Sequence, residues 1–339
     1  MRSCRWRALL ERGYYNASLM ELVVAEGERL EEIIDATCPV WNEGLTRAAY
    51  AQWNAAQMRT EWGRANLQRF ALVDAGGRWV ASAKRYRLPI RLHGVDGWMC
   101  GLGAVFTRSE ERGRGHAGQL IEQLVDRSRG EGATVAGLFS EIGETLYARL
   151  GFQTIPLDEV TVQVERKRGG APAMLVRSGD ERDLPALAAI HESRSQGVYF
   201  ALRRSPSLIH YALSKKRLLA GLGPRGLRHT EFFVAEEGVS AVAYVVLTAS
   251  RGGWTLEEAG DRDPAGARLG AILQVLLARE PSLDPPLLRA WWPPAFPAPP
   301  QIRLVDPVPA RDIFMMRPIA NVALPAKADE VFYWRSDYF

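Results

Sequence analysis

The chain predicts a mixed α/β protein of two successive domains, and three observations carry that expectation. A glycine-rich turn, Arg112-Gly113-Arg114-Gly115, stands between an apolar strand and an amphipathic helix. A second apolar stretch, Thr134 to Phe139, follows that helix and closes a β-loop-α-β unit. An opening of one strand and then one helix occurs twice, near Glu21 and again near Met174.

The elements follow in order. Residues 1–19 read as an extension. Glu21 to Ala25 gives a first strand and Gly27 to Ile34 the start of a helix. Further helices should run between Trp41 and Trp62, with Tyr50 and Trp53 on them, aromatic residues that suit a core better than a pocket wall. Phe70 to Val73, Trp79 to Tyr86 and Ile90 to Leu92 are short strands separated by turns at Asp74 to Gly77 and His93 to Gly97. Trp98 to Phe106 is apolar and glycine-rich, as a buried strand is. After the turn, Ala117, Leu120, Ile121, Leu124 and Val125 recur at helical spacing, and Gly130 can end that helix.

The turn is the most informative segment. Val105, Phe106 and Thr107 lead into Arg112, Gly113, Arg114, Gly115, His116 and Ala117. Glycines let successive N–H groups face one side, and the free N–H groups of the new helix add partial positive charge, which suits a pyrophosphate. A glycine turn alone also fits a ligand-free turn or a dinucleotide fold. The second disagrees with the chain, because no acidic residue ends a second parallel strand about twenty residues beyond the glycines.

The segment Ser140-Glu141-Ile142-Gly143-Glu144-Thr145-Leu146-Tyr147-Ala148-Arg149-Leu150-Gly151-Phe152 resembles the stretch after the fifth strand in the GNAT superfamily of N-acetyltransferases, where a tyrosine stands a few residues before a Gly-Phe pair. Arg112-x-x-Gly115-x-Ala117 is similar to that superfamily's acyl-CoA signature, and the two motifs agree with it in order and distance. The resemblance covers roughly residues 20 to 165. It implies acetyl-CoA as co-substrate, held by Val105 to Thr107, Arg112 to Ala117 and Ser140. It also implies a backbone N–H near Ala104 or Val105 at the acetyl carbonyl and Tyr147 as the acid for the departing thiolate. Ser140 stands where many members have asparagine.

The domain division expected is a catalytic GNAT acetyltransferase domain at 20–166, a linker at 167–172, a GNAT-like domain at 173–320 and a tail at 321–339. Val160 to Val164 should be the last strand before the linker. In the second half, Met174 to Arg177, the helix Leu184 to His191, the hairpin Phe232 to Thr248 and the strand Trp254 to Glu258 repeat the GNAT order. Where the phosphate turn belongs, Asp261 and Asp263 repel phosphate and Pro264 offers no N–H, so this repeat reads as degenerate. Asp312 to Met316 should close it. The fold class is therefore α/β with mixed sheets, as two tandem GNAT-like domains, the second degenerate.

Composition narrows the classes. Of 339 residues, 47% are apolar and 24% charged, as in a soluble globular protein, and no apolar run could span a bilayer. The formal net charge of +4 comes from 43 basic residues interleaved with 39 acidic ones, only five of the basic ones being lysine, which argues against nucleic acid as partner. Three scattered cysteines, Cys4, Cys38 and Cys100, give neither a disulfide framework nor a metal site. A cytoplasmic protein is expected, with a homo-oligomer left open.

Acetyl transfer to an amine needs a base, yet Trp98 to Thr107 contains no carboxylate. The candidates are Glu141 and the chain terminus. The chain ends in Phe339, which resembles tandem acetyltransferases of the enhanced-intracellular-survival type, whose terminal phenylalanine carboxylate reaches the first domain's site. This chain is too short for their third, sterol-carrier-like domain, and a tail docked on the core is the competing reading. Tandem fungal lysine acetyltransferases are a second resemblance. The function expected is acetyl-CoA-dependent acetylation of a primary amine on a small molecule or amino acid, by direct attack. A non-catalytic acyl-CoA-binding sensor or scaffold is the alternative.

Overall fold

The computed structural model describes residues 20–166, 173–280 and 286–339. The expected extension at 1–19 and linker at 167–172 lie outside them. The first half runs β1 (Glu21–Val24), α1 (Gly27–Trp41), α2 (Arg47–Arg59), α3 (Glu61–Asn66), β2 (Leu67–Val73), β3 (Trp79–Leu92), β4 (Val95–Thr107), α4 (His116–Gly130), β5 (Val135–Ser140), α5 (Thr145–Ala148), β6 (Gln153–Thr154) and β7 (Asp158–Val164). The second runs β8 (Val176–Ser178), α6 (Leu184–Ser195), β9 (Phe200–Leu202), α7 (Pro206–Leu222), β10 (Arg228–Glu237), β11 (Ser240–Ser250), β12 (Gly253–Asp261), α8 (Ala267–Arg279), β13 (Leu288–Ala290), β14 (Ile302–Pro309), β15 (Ile313–Pro318) and β16 (Val331–Phe332).

These strands form two mixed sheets that exchange strands. The first has the order β1-β2-β3-β4-β5-β15-β6, with β9 beside the far end of β3 and β16 beside β9; the second has the order β14-β7-β13-β12-β11-β10-β8. Three sequence expectations are corrected here. Val160 to Val164 lies in β7, between β13 and β14 of the second sheet, not in the first. Asp312 to Met316 does not close the second sheet, because β15 inserts between β5 and β6 of the first. Trp79 to Leu92 is one strand rather than two, with Pro89 tolerated inside it. Both misplaced strands are short, and their sequence patterns do not say which sheet supplies the partner. The partner is a long-range choice.

Helix α4 packs its apolar stripe on the first sheet as the periodicity predicted. Leu120, Ile121, Leu124 and Val125 are fully buried against Phe70, Leu102 and Leu138. Each such side chain contributes roughly 1.5–3 kcal/mol of burial. Helix α7 of the second half packs on α2 and α3 of the first. The Trp53 indole donates to the Lys215 carbonyl at 2.8 Å, and the Trp62 and Tyr211 rings lie 4.7 Å apart. Among the described residues, no helix is long and apolar enough to cross a membrane.

Candidate active site

The central feature is a parting of two parallel strands. β4 and β5 pair from Met99 and Val135 as far as Leu102 and Leu138, and no further. Beyond that point β4 stays with β3, while β5 stays with β15, which it pairs from Val135 through Ser140. Just past the parting, Ala104 and Val105 of β4 stand opposite the single residue Ala83 of β3, a β-bulge in which Ala104 takes a φ of 47°. The bulge leaves a backbone donor of β4 outside the ladder.

The glycine turn has the conformation its composition predicts. Gly113 and Gly115 take φ values of 77° and 82°, and Gly115 is the residue from which α4 starts. A Cβ built on either would meet nothing within 4 Å, so both are glycine for backbone reasons, with open space in front of them. Buried Glu111 holds the turn from behind. It pairs with Arg78 and with Arg114 at 2.8 Å, and its carboxylate lies 3.6 Å from Nε2 of His116, the first residue of α4. The Arg112 side chain donates to the Thr107 carbonyl at 3.4 Å. Val105 packs on the α4 core, Phe106 lies between Trp41 and Trp79, and Ala117 is in the first turn of α4.

Tyr147 sits on α5, buried beside Phe152, and the Ser140 hydroxyl donates to the Gly143 carbonyl at 2.6 Å. Burial pushes the Tyr147 phenol above its usual range, and the nearby Glu141 carboxylate adds to that push. Glu141 itself is exposed and accepts a hydrogen bond from the Tyr338 hydroxyl at 3.2 Å.

The chain terminus enters the parting. A Cβ on Gly101 would come within 2.9 Å of both the Phe339 ring and Leu88; one on Gly103 would lie 3.5 Å from the Phe339 carbonyl oxygen. The terminal carboxyl group therefore lies against β4 at Gly103. A buried ionic cluster fixes the approach. Arg204 pairs with Glu258 and, at 3.2 Å, with Asp337; Ser336 donates to Glu258 at 2.7 Å; and Lys215 donates to the Tyr338 carbonyl at 3.1 Å. The Phe139 ring of β5 touches those of Tyr338 and Phe339 at 4.7 and 5.5 Å. The tail is thus docked on the core, with its carboxyl group beside Gly103.

A small cavity adjoins this carboxyl group, lined by Trp62, Tyr86, Tyr211, Lys215 and Phe339 among others. Burial, and then Lys216, lower the Lys215 amine to about 7. A second small cavity lies under α2, with Arg69, Lys84 and Asn54 in its wall. The sequence reading passed over Arg69, Lys84 and Lys215. The available signal was a cation inside an otherwise apolar strand, at Arg69 before Phe-Ala-Leu-Val and at Lys84 after Val-Ala-Ser-Ala.

The corresponding turn of the second sheet is closed by the chain itself. Asp261, fully buried at the end of β12, accepts N–H bonds from Asp263 at 2.8 Å, Arg268 at 2.9 Å and Leu269 at 3.0 Å. Its carboxylate takes the donors of the α8 N-terminus that a phosphate would need. Pro299 and Gln301 cover the same turn.

A parallel pair of strands thus parts beside a glycine turn and a following helix. Residues 27–155 match the family model of the acetyltransferase (GNAT) domain. No curated protein matches the sequence significantly. Among solved structures, a GCN5-related N-acetyltransferase from Kribbella flavida superposes with a TM-score of 0.62 at 17% identity, over 88% of this chain and 71% of that one. A conserved protein of unknown function from Enterococcus faecalis, described as a probable N-acyltransferase, gives 0.64 at 12%, over 89% and 73%. A GCN5-related N-acetyltransferase from Anabaena variabilis also gives 0.64 at 12%, over 89% and 73%. At these identities the likeness establishes the fold, and it spans both sheets.

Proposed function

We propose that this acyltransferase uses acetyl-CoA to acetylate a primary amine of a small molecule or amino acid by direct attack, with the Phe339 carboxylate as base and Tyr147 as acid. One observation carries the reading: a carboxyl group brought from the far end of the chain lies where β4 and β5 part, on a strand with no carboxylate between Trp98 and Thr107.

The residues present fit acetyl-CoA. The left-handed Gly113 and Gly115, the open space before them and the start of α4 suit a pyrophosphate, while the parted strand edge from Gly103 to Thr107 suits the amide-bearing pantetheine arm. When bound, the coenzyme supplies the thioester carbonyl that is attacked. A backbone N–H freed at the Ala104–Val105 bulge is the donor available to such a carbonyl.

An incoming ammonium must lose a proton before it can attack, and the terminal carboxylate is the acceptor in reach of the parting. Tyr147, protonated at neutral pH as a phenol ordinarily is and kept so by burial and Glu141, is the proton donor for the leaving thiolate. Glu141, hydrogen-bonded to Tyr338, then serves as an anchor for the tail. The Asp261 carboxylate fills the corresponding turn of the second sheet, so one coenzyme per chain is the stoichiometry that follows.

The test is release of free thiol from acetyl-CoA with the full-length protein against a panel of amines. Release that depends on an added amine, with an acetylated product of the expected mass, supports the reading. No release with any amine, or equal release without one, would overturn it.

A further inference from the structure

Arg69, Lys84 and Gly103 form one row across the first sheet. Arg69 of β2 is the direct partner of Lys84 on β3, and Lys84 is the direct partner of Gly103 on β4. Directly opposed residues share a face of the sheet. The terminal carboxyl of Phe339 lies over Gly103, so two cations and one carboxylate occupy adjacent places in the row.

The two cations are under-partnered. Arg69 is 3% exposed, and its Nη1 and Nη2 are buried without a hydrogen-bond partner. Lys84 reaches Gln57 Oε1 at 3.5 Å and lies over the Trp53 ring, 5.7 Å from its centroid, with no carboxylate beside it in the cavity wall. Both line a small cavity under α2, where Asn54 Oδ1 is also buried without a partner and no Asp or Glu stands among the lining residues. Burying unpaired charge is costly, and an anion entering this cavity removes that cost. Gln57 Oε1 links a wall residue of each cavity, because it also accepts from the hydroxyl of Tyr211, a residue of the cavity beside Phe339, at 3.3 Å. Lys84 is held well below its ordinary pKa by burial, then by Arg69 and Lys215, as expected of a cluster awaiting negative charge.

We propose that the amine acceptor carries an acidic group, a carboxylate or a phosphate, which Arg69 and Lys84 receive while the amine faces the Phe339 carboxylate. The proposal rests on the acetyl-transfer reading above. Two strand spacings of about 4.8 Å separate Arg69 from Gly103, so acid and amine ends up to about 10 Å apart span the row. A polyamine or aminoglycoside would instead bring positive charge to Arg69 and Lys84 and be repelled.

The experiment is calorimetric binding to the full-length protein, paired with initial rates in the presence of acetyl-CoA. The probes are 6-aminohexanoate against hexylamine and O-phosphoethanolamine against ethanolamine, the two pairs separating carboxylate from phosphate. At least one acid is expected to bind about tenfold or more tighter than its plain amine. Arg69→Gln should erase that preference and Arg69→Lys keep part of it, with Lys84→Met as the second variant should Arg69→Gln fold poorly. Binding of the acid should take up protons, read from its heat in two buffers of different ionisation enthalpy, because an anion raises the pKa of Lys84. Equal binding within both pairs overturns the proposal. Acid-dependent binding without any acetylation would keep the anion site and sink the acetyl-transfer reading; acetylation of hexylamine and ethanolamine with no preference for the acids would do the reverse.

Discussion

The carboxyl group of Phe339 lies beside Gly103, and the Phe339 ring lies against Gly101 because Gly101 has no side chain, an added Cβ there coming within 2.9 Å of the ring. Two glycines on one strand make the seat for a terminus 236 residues away in sequence from the nearer of them. Adding two residues after Phe339 moves the charge off Gly103 without touching the buried ionic cluster at Arg204. Turnover should fall by roughly 10²-fold or more, the usual consequence of a lost base, with coenzyme affinity retained. Steady-state rates and coenzyme titration on the extended protein check this; full turnover would remove Phe339 from the chemistry.

Tyr147→Phe keeps the ring packed beside Phe152 and removes the proton. Turnover is expected to drop by roughly 10²–10⁴-fold with the fold and coenzyme affinity preserved. Single-turnover rates of the variant decide the matter, and rates like those of the native protein would give the acid's role to water.

Gly115→Asp imposes a side chain on a backbone at φ 82° and a negative charge on the start of α4. Coenzyme affinity should fall at least about tenfold, by lost electrostatic complementarity and by strain at a φ that favours glycine. Calorimetry on the folded variant, which should bind less than the native single equivalent at matched concentration, is the measurement. A native stoichiometry of two would contradict the closed turn at Asp261.

Lys215 sets a pH dependence. Its folded pKa of about 7 lies below the 10.5 of an exposed lysine, so between these values the unfolded chain holds more protons than the folded one. Stability contributed by this group is therefore complete above about pH 10.5 and is lost as pH falls towards 7. In Lys215→Met that slope should vanish. Thermal unfolding midpoints of both proteins, compared across pH 7 to 10.5, test the sign, and parallel curves would refute it.

Arg204 is buried between Glu258 and Asp337, and breaking such a pair from one side costs roughly 3–5 kcal/mol. Burial of Asp337, with Glu258 beside it, already raises that carboxyl to about 6 against the opposing pull of Arg204. Arg204→Met should both destabilise the protein and loosen the tail, seen as faster amide exchange at Tyr338 and Phe339 than at β4. Uniform loss of protection throughout would place Arg204 in general stability alone.

The sequence by itself determined what depends on neighbours in the chain. The glycine turn needs only Gly113 and Gly115 at positive φ, and helix α4 needs only apolar residues at a 3.6-residue period, so both were legible. The silent turn was legible from Asp261 and Pro264, although not the reason, which is that Asp261 itself takes the helix donors. Tertiary structure alone decided the rest. β7 and β15 change sheets, a choice among distant partners that a short alternating strand does not encode. The row of Arg69, Lys84 and Gly103 exists only once three strands are in register, and the Phe339 carboxyl reaches it only through the Arg204 cluster. Local pattern fixes backbone conformation, whereas a site of charges gathered from four distant segments is fixed by packing.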